Sequence, residues 1–139
     1  DIRNKRRVIR LIENNGTLPA RHELRTNTLM LGVSIPREQL LKRVEARIQV
    51  MLSLGLEDEA RQLAEAYGWN TEPMKGIGYR EWQAYFNGTQ NLDETRQQII
   101  RGTLALAKKQ RTWFKRNNSI HWVKQQSEAV DLVTTLLNK

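Results

Sequence analysis

Cysteine is absent from the sequence, which excludes disulfide bonds and thiolate metal sites. The two histidines, His22 and His121, stand far apart in the chain and show no spacing of metal ligands. No apolar run approaches the roughly 20 residues that a membrane-spanning helix needs, and we find no signal peptide or lipidation motif. We therefore expect a cytoplasmic protein that does not bind a membrane, and we expect a monomer.

Negative charge is scarce as well. The 139 residues include 23 Lys or Arg against 15 Asp or Glu, giving a net charge of +8 and a pI near 10.2. Charged residues make up 27% and hydrophobic residues 39%, which is typical of a globular domain rather than a disordered chain. The length suits one domain with a modest core. The charge favours an anionic partner.

Acidic residues are missing altogether from Thr95 to Ser127, a stretch with eight Lys or Arg. Its centre, Ala107 to Arg116, combines five of these cations with Trp113 and Phe114. A long surface without counter-charge repels itself unless a polyanion lies against it. Cations neutralise phosphates, and aromatic and guanidinium planes stack on unpaired bases. The stretch therefore predicts binding to nucleic acid, to an RNA loop rather than a duplex, with a solvated helix face as the alternative.

Helical periodicity dominates the chain and predicts a mainly α fold. The predicted helices cover residues 1–15, 37–54, 57–67, 79–86 and 92–116, and a last helix is capped by Ser127 and Glu128. Asn91 and Glu94 form a capping-box pattern at the start of the longest helix. Residues 16–28 and 69–78 show no period and are predicted loops.

The apolar run from Leu29 to Ile35, ended by Pro36, has the length of a buried strand. Its place is hard to explain, because the sequence offers almost no partner strand and a lone strand leaves backbone groups unpaired. Only residues 119–123 suggest a second short strand. On the longest helix, Trp113 is interpreted as a core residue. It ends a predicted inner stripe of Leu92, Ile99, Thr103, Leu106, Gln110 and Trp113.

Two helix faces are candidates for phosphate contacts, because their residues recur at i, i+3, i+4 and i+7. The face on the longest helix consists of Lys108, Arg111, Thr112 and Lys115. The face near the start of the chain consists of Arg3, Arg6, Arg7 and Arg10. A solvated helix face is the plainer interpretation of either pattern.

A third candidate is the segment from Lys75 to Arg80. Its alternate glycines, Gly76 and Gly78, let a backbone come close to a ligand, and Tyr79 and Arg80 offer stacking and phosphate contact. A single Gly-x-Gly is also common in ordinary loops.

No catalytic arrangement can be recognised. The sequence contains no Gly-x-x-x-x-Gly-Lys-[Ser/Thr] phosphate loop, no Ser/His/Asp set and no metal cluster. The acidic group Glu57, Asp58 and Glu59 opens a helix, where negative charge is favourable for the helix dipole. The residues alone therefore indicate an RNA-binding helical domain.

Taken in order, several short segments make the chain resemble the tRNA dimethylallyltransferase (tRNA isopentenyltransferase) family. These segments are Asn4–Arg10 with Glu13, Leu31–Val33, Pro36–Leu40, Arg43, Arg47, Met51, Gly55–Leu56, Glu59, Gly76–Glu81, Ala107–Lys115 and Trp122.

The resemblance implies a P-loop-type α/β transferase with a helical insertion, and this chain as its mostly helical C-terminal portion. Residues 1–28 would end the insertion, and residues 29–139 would belong to the core, with Leu29 to Val33 in its parallel sheet. The family moves a dimethylallyl group from dimethylallyl diphosphate to the exocyclic amine of the adenosine 3′ to the anticodon. The resemblance also implies that the whole enzyme binds phosphates as nucleotide-binding proteins do and uses Mg²⁺. It implies no cofactor bound by this chain.

Site residues follow from the same resemblance. Arg43 and Arg47 are candidates for contact with the donor diphosphate. No catalytic residue is assigned in this chain, because the family's phosphate loop and catalytic Asp belong to an N-terminal half that this sequence does not contain. Those expected to contact the tRNA anticodon stem-loop are Arg6, Arg7, Arg10, Lys75, Gly76, Ile77, Gly78, Tyr79, Arg80, Lys108, Lys109, Gln110, Arg111, Thr112, Trp113, Phe114 and Lys115.

Three positions depart from the family pattern. Leu104 and Lys109 stand where the family usually has Arg, and Arg111 stands where it has an apolar residue. Lys109 keeps the charge but loses the bidentate fork of a guanidinium. Two alternatives remain open: a stand-alone RNA-binding module without catalysis, and a helical domain that binds an acidic protein.

Overall fold

The computed structural model describes residues 3–17 and 24–138. Within these ranges the fold is mainly helical, as the sequence predicts, and two short strands accompany the helices. In chain order the elements are α1 Lys5–Glu13, β1 Met30–Val33, α2 Arg37–Ser53, α3 Leu56–Tyr67, α4 Trp82–Phe86, α5 Leu92–Phe114, β2 Ile120–Val123 and α6 Gln126–Leu137, with a 3₁₀ turn at Pro73–Lys75 between α3 and α4. Predicted positions in residues 18–23, including His22, lie outside the described residues.

The boundaries of the central helices have local causes. Gly55 separates α2 from α3 and has φ +93°, a conformation that favours glycine. At the start of α5, Asn91 Oδ1 accepts from the backbone N–H of Glu94, and Glu94 Oε2 accepts from that of Asn91. This confirms the predicted capping box. The prediction for α4 began too early, because the helix starts only at Trp82.

The strand β1 has a partner after all. It pairs in parallel with β2, with Met30 opposite Ile120 and Val33 opposite Val123. The Ser34 backbone N–H extends the pairing by donating to the Val123 carbonyl over 2.8 Å. The second strand predicted at residues 119–123 is therefore confirmed as β2, and it is the partner that the rest of the sequence does not offer. The two strands are separated in sequence by α2, α3, α4 and α5.

The core lies where α2 and α5 pack together and α3 and α4 close over them. Trp82 of α4 and Ala60 of α3 are fully buried, and Ile48 of α2 is 3% exposed. Trp82 stacks on Phe86 with ring centroids 5.7 Å apart. Apolar residues at helical spacing on four helices thus form one cluster.

The inner stripe predicted for α5 was largely wrong. The buried residues of α5 are Thr95, Ile99 and Ile100, all in its first half. Leu92 and Leu106 are 40% and 45% exposed, and Trp113 is 65% exposed, so Trp113 is not a core residue. Helical spacing continues along the whole of α5, whereas burial is confined to its first half.

Both ends of the described chain differ from the central helices. Neither α1 nor α6 contains a buried residue. The cap predicted for α6 was also wrong: the helix begins at Gln126, and Glu128 Oε2 accepts from the Lys124 backbone N–H over 2.7 Å. Within residues 3–17 and 24–138, no helix combines the length and apolarity that crossing a bilayer would require.

Candidate nucleic-acid interface

The second half of α5 carries its cations into solvent. Lys108, Lys109 and Arg111 of the helix, and Lys115 at its C-cap, are all exposed. Across the described residues, none of these four side chains forms an ion pair with a carboxylate. These side chains stay exposed and unpaired for two reasons. The helix α5 is 23 residues long and has buried residues only in its first half, and no acidic residue occurs from Thr95 to Ser127. Their charge is therefore available to an external anion.

An aromatic pair marks the end of this cationic half. The rings of Trp113 and Phe114 meet edge to face, with centroids 4.9 Å apart. Trp113 is 65% exposed and Phe114 is 42% exposed. Exposed aromatic faces among cations are the elements that bind unpaired bases.

An open groove of about 850 Å³ lies between the strand pair, the start of α2 and the second half of α5. Its floor is apolar and includes Ile35, Leu40, Leu104, Ile120 and Trp122. Among the described residues that line it are four cations and no carboxylate; the cations are Arg37, Arg101, Lys108 and Arg111. Such a groove accepts a planar or hydrocarbon group on its floor and an anionic group at its rim.

The four residues of the predicted ridge on α5 divide between two surfaces. Lys108 and Arg111 line the groove, whereas Thr112 and Lys115 do not. The Thr112 hydroxyl donates to the Lys108 carbonyl within the helix, so this proton is not free for a ligand. Leu104 occupies the groove wall two turns before Arg111 and packs against the core.

The turn from Gly76 to Arg80 is held by the residues that follow it. Glu81 is 6% exposed, and its two carboxylate oxygens accept from the Gly78 backbone N–H over 2.9 Å and from Arg80 Nε over 2.8 Å. Trp82 Nε1 donates to the Gly78 carbonyl over 2.9 Å. Gly78 has φ +102°, which other residues rarely adopt. Its backbone groups are therefore engaged inside the protein, while the Arg80 side chain is 53% exposed.

Tyr79 is tied to α3. Its hydroxyl donates to Glu59 Oε1 over 2.7 Å, and its ring packs at the edge of the core. That hydrogen bond is the main reason the pKa of Tyr79 is raised, with partial burial contributing. The structure thus gives Tyr79 a fixed position and a structural bond, in addition to the base contact predicted for it.

The basic helix α1 comes near the 3₁₀ turn before Gly76. Lys75 Nζ donates to Glu72 Oε1 over 2.8 Å, and this bond is the main cause that lowers the pKa of Glu72. The positive charge of Arg6 lowers that pKa further. The α1 and turn candidates therefore lie within electrostatic reach of each other, although Lys75 already has an exposed partner.

The two residues predicted from the family resemblance to contact the donor diphosphate lie outside the groove. Arg43 and Arg47 are exposed on α2, and neither lines the groove. Arg37, the first residue of the same helix, does. Across the described ranges no group of three or more His, Asp or Glu side chains could hold a metal ion.

Sequence reasoning missed Arg37, Arg101 and Glu81 as parts of the site. Arg101 belongs to the stretch without acids, but a single cation early in that stretch has no distinguishing pattern. Glu81 directly follows the Gly-x-Gly segment, and only the fold shows that its carboxylate turns back onto Gly78.

The fold and this surface define a class: a cationic, mainly helical unit that carries a pair of parallel strands. The profile of the IPP transferase family matches residues 1–117, and the chain belongs to that family. The tRNA dimethylallyltransferase of Pelotomaculum thermopropionicum is 38% identical over 104 residues, which cover 74% of this chain and 33% of the relative. That of Pediococcus pentosaceus is 36% identical over 129 residues, covering 88% and 41%. The chain thus spans well under half the length of these relatives.

Solved structures agree. The full-length tRNA isopentenylpyrophosphate transferase of Bacillus halodurans matches with a TM-score of 0.72 and 26% identity, over 98% of this chain and 45% of that one. The tRNA delta(2)-isopentenylpyrophosphate transferase of Staphylococcus epidermidis matches with a TM-score of 0.69 and 29% identity, over 79% and 37%. The helices and the strand pair are therefore arranged as in part of those enzymes.

Proposed function

We propose that this chain supplies the tRNA-binding surface of a tRNA dimethylallyltransferase. The whole enzyme moves a dimethylallyl group from dimethylallyl diphosphate to the exocyclic amine of the adenosine 3′ to the anticodon. The phosphate loop and the Asp that acts as base come from a portion outside this sequence, which has no Gly-x-x-x-x-Gly-Lys-[Ser/Thr] segment.

The observation that carries this proposal is the cationic second half of α5, which lies beside the apolar groove and forms no ion pair with a carboxylate in residues 3–17 and 24–138. Lys108 and Arg111 stand at the groove rim and Phe114 borders it. RNA loops are recognised by phosphate contacts together with stacking on aromatic and guanidinium planes. An extruded base on the apolar floor, with its phosphates at the rim, satisfies both requirements at once.

Two further segments support the same interface. The turn at Gly76–Arg80 presents the exposed Arg80 side chain, and α1 brings Arg6 to within electrostatic reach of Glu72. An RNA hairpin is long enough to touch several cationic patches, so phosphate contacts on more than one element are expected.

The binding part of the proposal is tested with a synthetic anticodon stem-loop RNA and the 139-residue chain. We expect log affinity to fall linearly with log salt concentration, because phosphate contacts release counterions. The double variant Lys108→Gln/Lys115→Gln should weaken binding about tenfold or more at low salt. Its matched control, Lys42→Gln/Lys124→Gln, removes the same charge from exposed lysines that belong neither to α5 nor to its C-terminal end and should retain near wild-type affinity. Equal losses in the two doubles would show that net charge, not this surface, sets the affinity.

The transfer reaction is tested separately. The chain, incubated with tRNA, dimethylallyl diphosphate and Mg²⁺, should give no modified adenosine by mass spectrometry. Turnover by the purified chain would refute the assignment of the chemistry to a missing portion. The coding sequence upstream of Asp1 separates the two candidates: an in-frame phosphate loop supports the transferase, and an initiation codon supports a stand-alone RNA-binding module.

A further inference from the structure

A second, smaller cleft of about 400 Å³ lies where the Gly76–Arg80 turn meets α5. Its lining residues are Arg80, Glu81, Gln98, Arg101 and Gly102. Two of these are guanidinium groups from different elements, and Arg101 also lines the large groove. The cleft therefore joins the turn to the cationic face of α5.

Gly102 explains how the turn comes this close. A Cβ built on Gly102 would lie 3.3 Å from Ile77 Cγ2 and 3.4 Å from Arg80 Nη2. The turn thus rests directly on α5, beside Arg101. The absence of a side chain at this helix position leaves room for Ile77 and Arg80 to pack against the helix.

Glu81 fixes the direction of Arg80. Its buried carboxylate takes Arg80 Nε and leaves the other guanidinium nitrogens of a half-exposed side chain for a ligand. Arg101 is exposed and forms no hydrogen bond or ion pair with other described residues. Two guanidinium groups and one carboxylate leave one net positive charge at the cleft.

We propose that Arg80 and Arg101 bind one phosphate group of the RNA backbone together, and that Glu81 is the positioning residue that aims Arg80 at it. Arginine forks match phosphate geometry and are the usual choice for such sites. The subsite rests on the proposed function, because its ligand belongs to the RNA bound along α5. It lies between the turn and the large groove, so a strand held in the cleft is directed toward the groove.

The arginines are tested by stem-loop affinity at several salt concentrations for Arg80→Gln, Arg101→Gln and the double variant. We expect each single variant to bind on the order of tenfold more weakly at low salt. If one phosphate is shared, the double variant should lose less than the product of the single losses. For the double variant, the slope of log affinity against log salt concentration should then become shallower by about 0.7 to 0.9 in total, the value for one phosphate. Arg101 is exposed, so its substitution should leave folding intact, as a circular dichroism melt will check.

The role of Glu81 is tested by the direction in which RNA affinity changes in Glu81→Gln. A positioning role and a purely electrostatic role predict opposite changes. Glu81→Gln removes one negative charge and so raises the net charge by one, which by itself should strengthen RNA binding. The Gln amide offers only one acceptor oxygen, so either Gly78 or Arg80 loses its bond and we expect binding to weaken at least threefold. Glu65→Gln makes the same charge change on the exposed side of α3 and should bind as well as the wild type or slightly better.

The outcomes can be told apart. If the wild-type chain binds the stem-loop while Arg101→Gln binds equally well, or the two arginine losses multiply, the shared subsite is wrong and the proposed function stands. Tighter binding by Glu81→Gln would remove its positioning role. If the wild-type chain shows no salt-dependent affinity for the RNA, the proposed function fails and the subsite fails with it.

Discussion

At the scale of single residues, Gly32 shows how a side chain that is missing decides local structure. A Cβ at this position would lie 2.7 Å from Ile120 Cγ2 and 2.8 Å from Trp122 Cε3. Both partners belong to β2, which is paired with β1, so neither can withdraw without moving a strand. Trp122 also lines the large groove, which ties its position to this contact.

We therefore expect Gly32→Ala to lower the free energy of unfolding by about 1–3 kcal/mol, the usual range for overpacking. Urea unfolding followed by tryptophan fluorescence measures this change. Val33→Ala is the matched control, because Val33 lies next in the same strand but is 67% exposed. A Gly32→Ala variant within about 0.5 kcal/mol of the wild type would show that the strands separate easily.

Thr95 is a second residue whose role depends on burial. It is fully buried, its hydroxyl donates to the Asn91 carbonyl over 2.9 Å, and it accepts from Gln90 Nε2 over 2.6 Å. We expect Thr95→Val to cost about 1–2 kcal/mol, because it keeps the volume but leaves polar partners less satisfied. Thr103→Val, whose hydroxyl only donates to the Ile99 carbonyl, should cost clearly less in the same urea measurement. Equal costs for the two variants would contradict this explanation.

At the scale of elements, the hydrogen bond from Tyr79 to Glu59 joins the turn to α3. The bond needs the phenol proton, so the pKa of Tyr79 is raised in the folded state above its ordinary value near 10. Its contribution to stability is therefore complete below that ordinary value and is lost as pH rises through the folded pKa. The turn that presents Arg80 should loosen from α3 in the same alkaline range.

Tyr79→Phe removes this contribution and should be less stable than the wild type near pH 8. The difference in free energy of unfolding should shrink toward zero as pH rises above about 10. Urea unfolding at several pH values measures it. Tyr67→Phe serves as the control, because Tyr67 ends α3, is 68% exposed, and its variant should show no such trend. A constant difference across this pH range would rule out the proposed linkage.

Elements differ in how well the sequence predicts them. The spacing of apolar residues and the glycines after them place α2 and α3 within one residue, because these cues are local. The pairing of β1 with β2 cannot be predicted in this way, since the partners are Met30 and Ile120 and no local pattern links them. Trp113 is exposed because the buried face of α5 is confined to its first half. The spacing of apolar residues does not show how far along a helix the core extends. The contact of Glu81 with Gly78 likewise appears only in the fold.

At the scale of the whole molecule, the strand pair is the part that least resembles an independent unit. Parallel sheets are usually covered on both faces, and two strands alone are marginally stable in water. Val33 is 67% exposed and Leu31 is 39% exposed. The chain matches only 45% of the Bacillus halodurans enzyme. Leu31 and Val33 share one face of the pair, and apolar side chains on a face of a parallel sheet are usually covered by a packed layer.

The last prediction follows from the difference in burial between the strand pair and the core helices. It is measured by amide hydrogen exchange on the 139-residue chain. Ile99 and Ile100 are 3% exposed in the packed half of α5, so their amides should exchange only through opening of the core. The Ser34 amide, which donates to the Val123 carbonyl, and the amides within β1 should exchange through a local opening of lower free energy, although they are hydrogen-bonded. The exposed amides of α1, which has no buried residue, provide the fast reference. Protection of β1 equal to that of Ile99 would mean that the strand pair and the helices unfold together, and that the sheet needs no further strand for its stability.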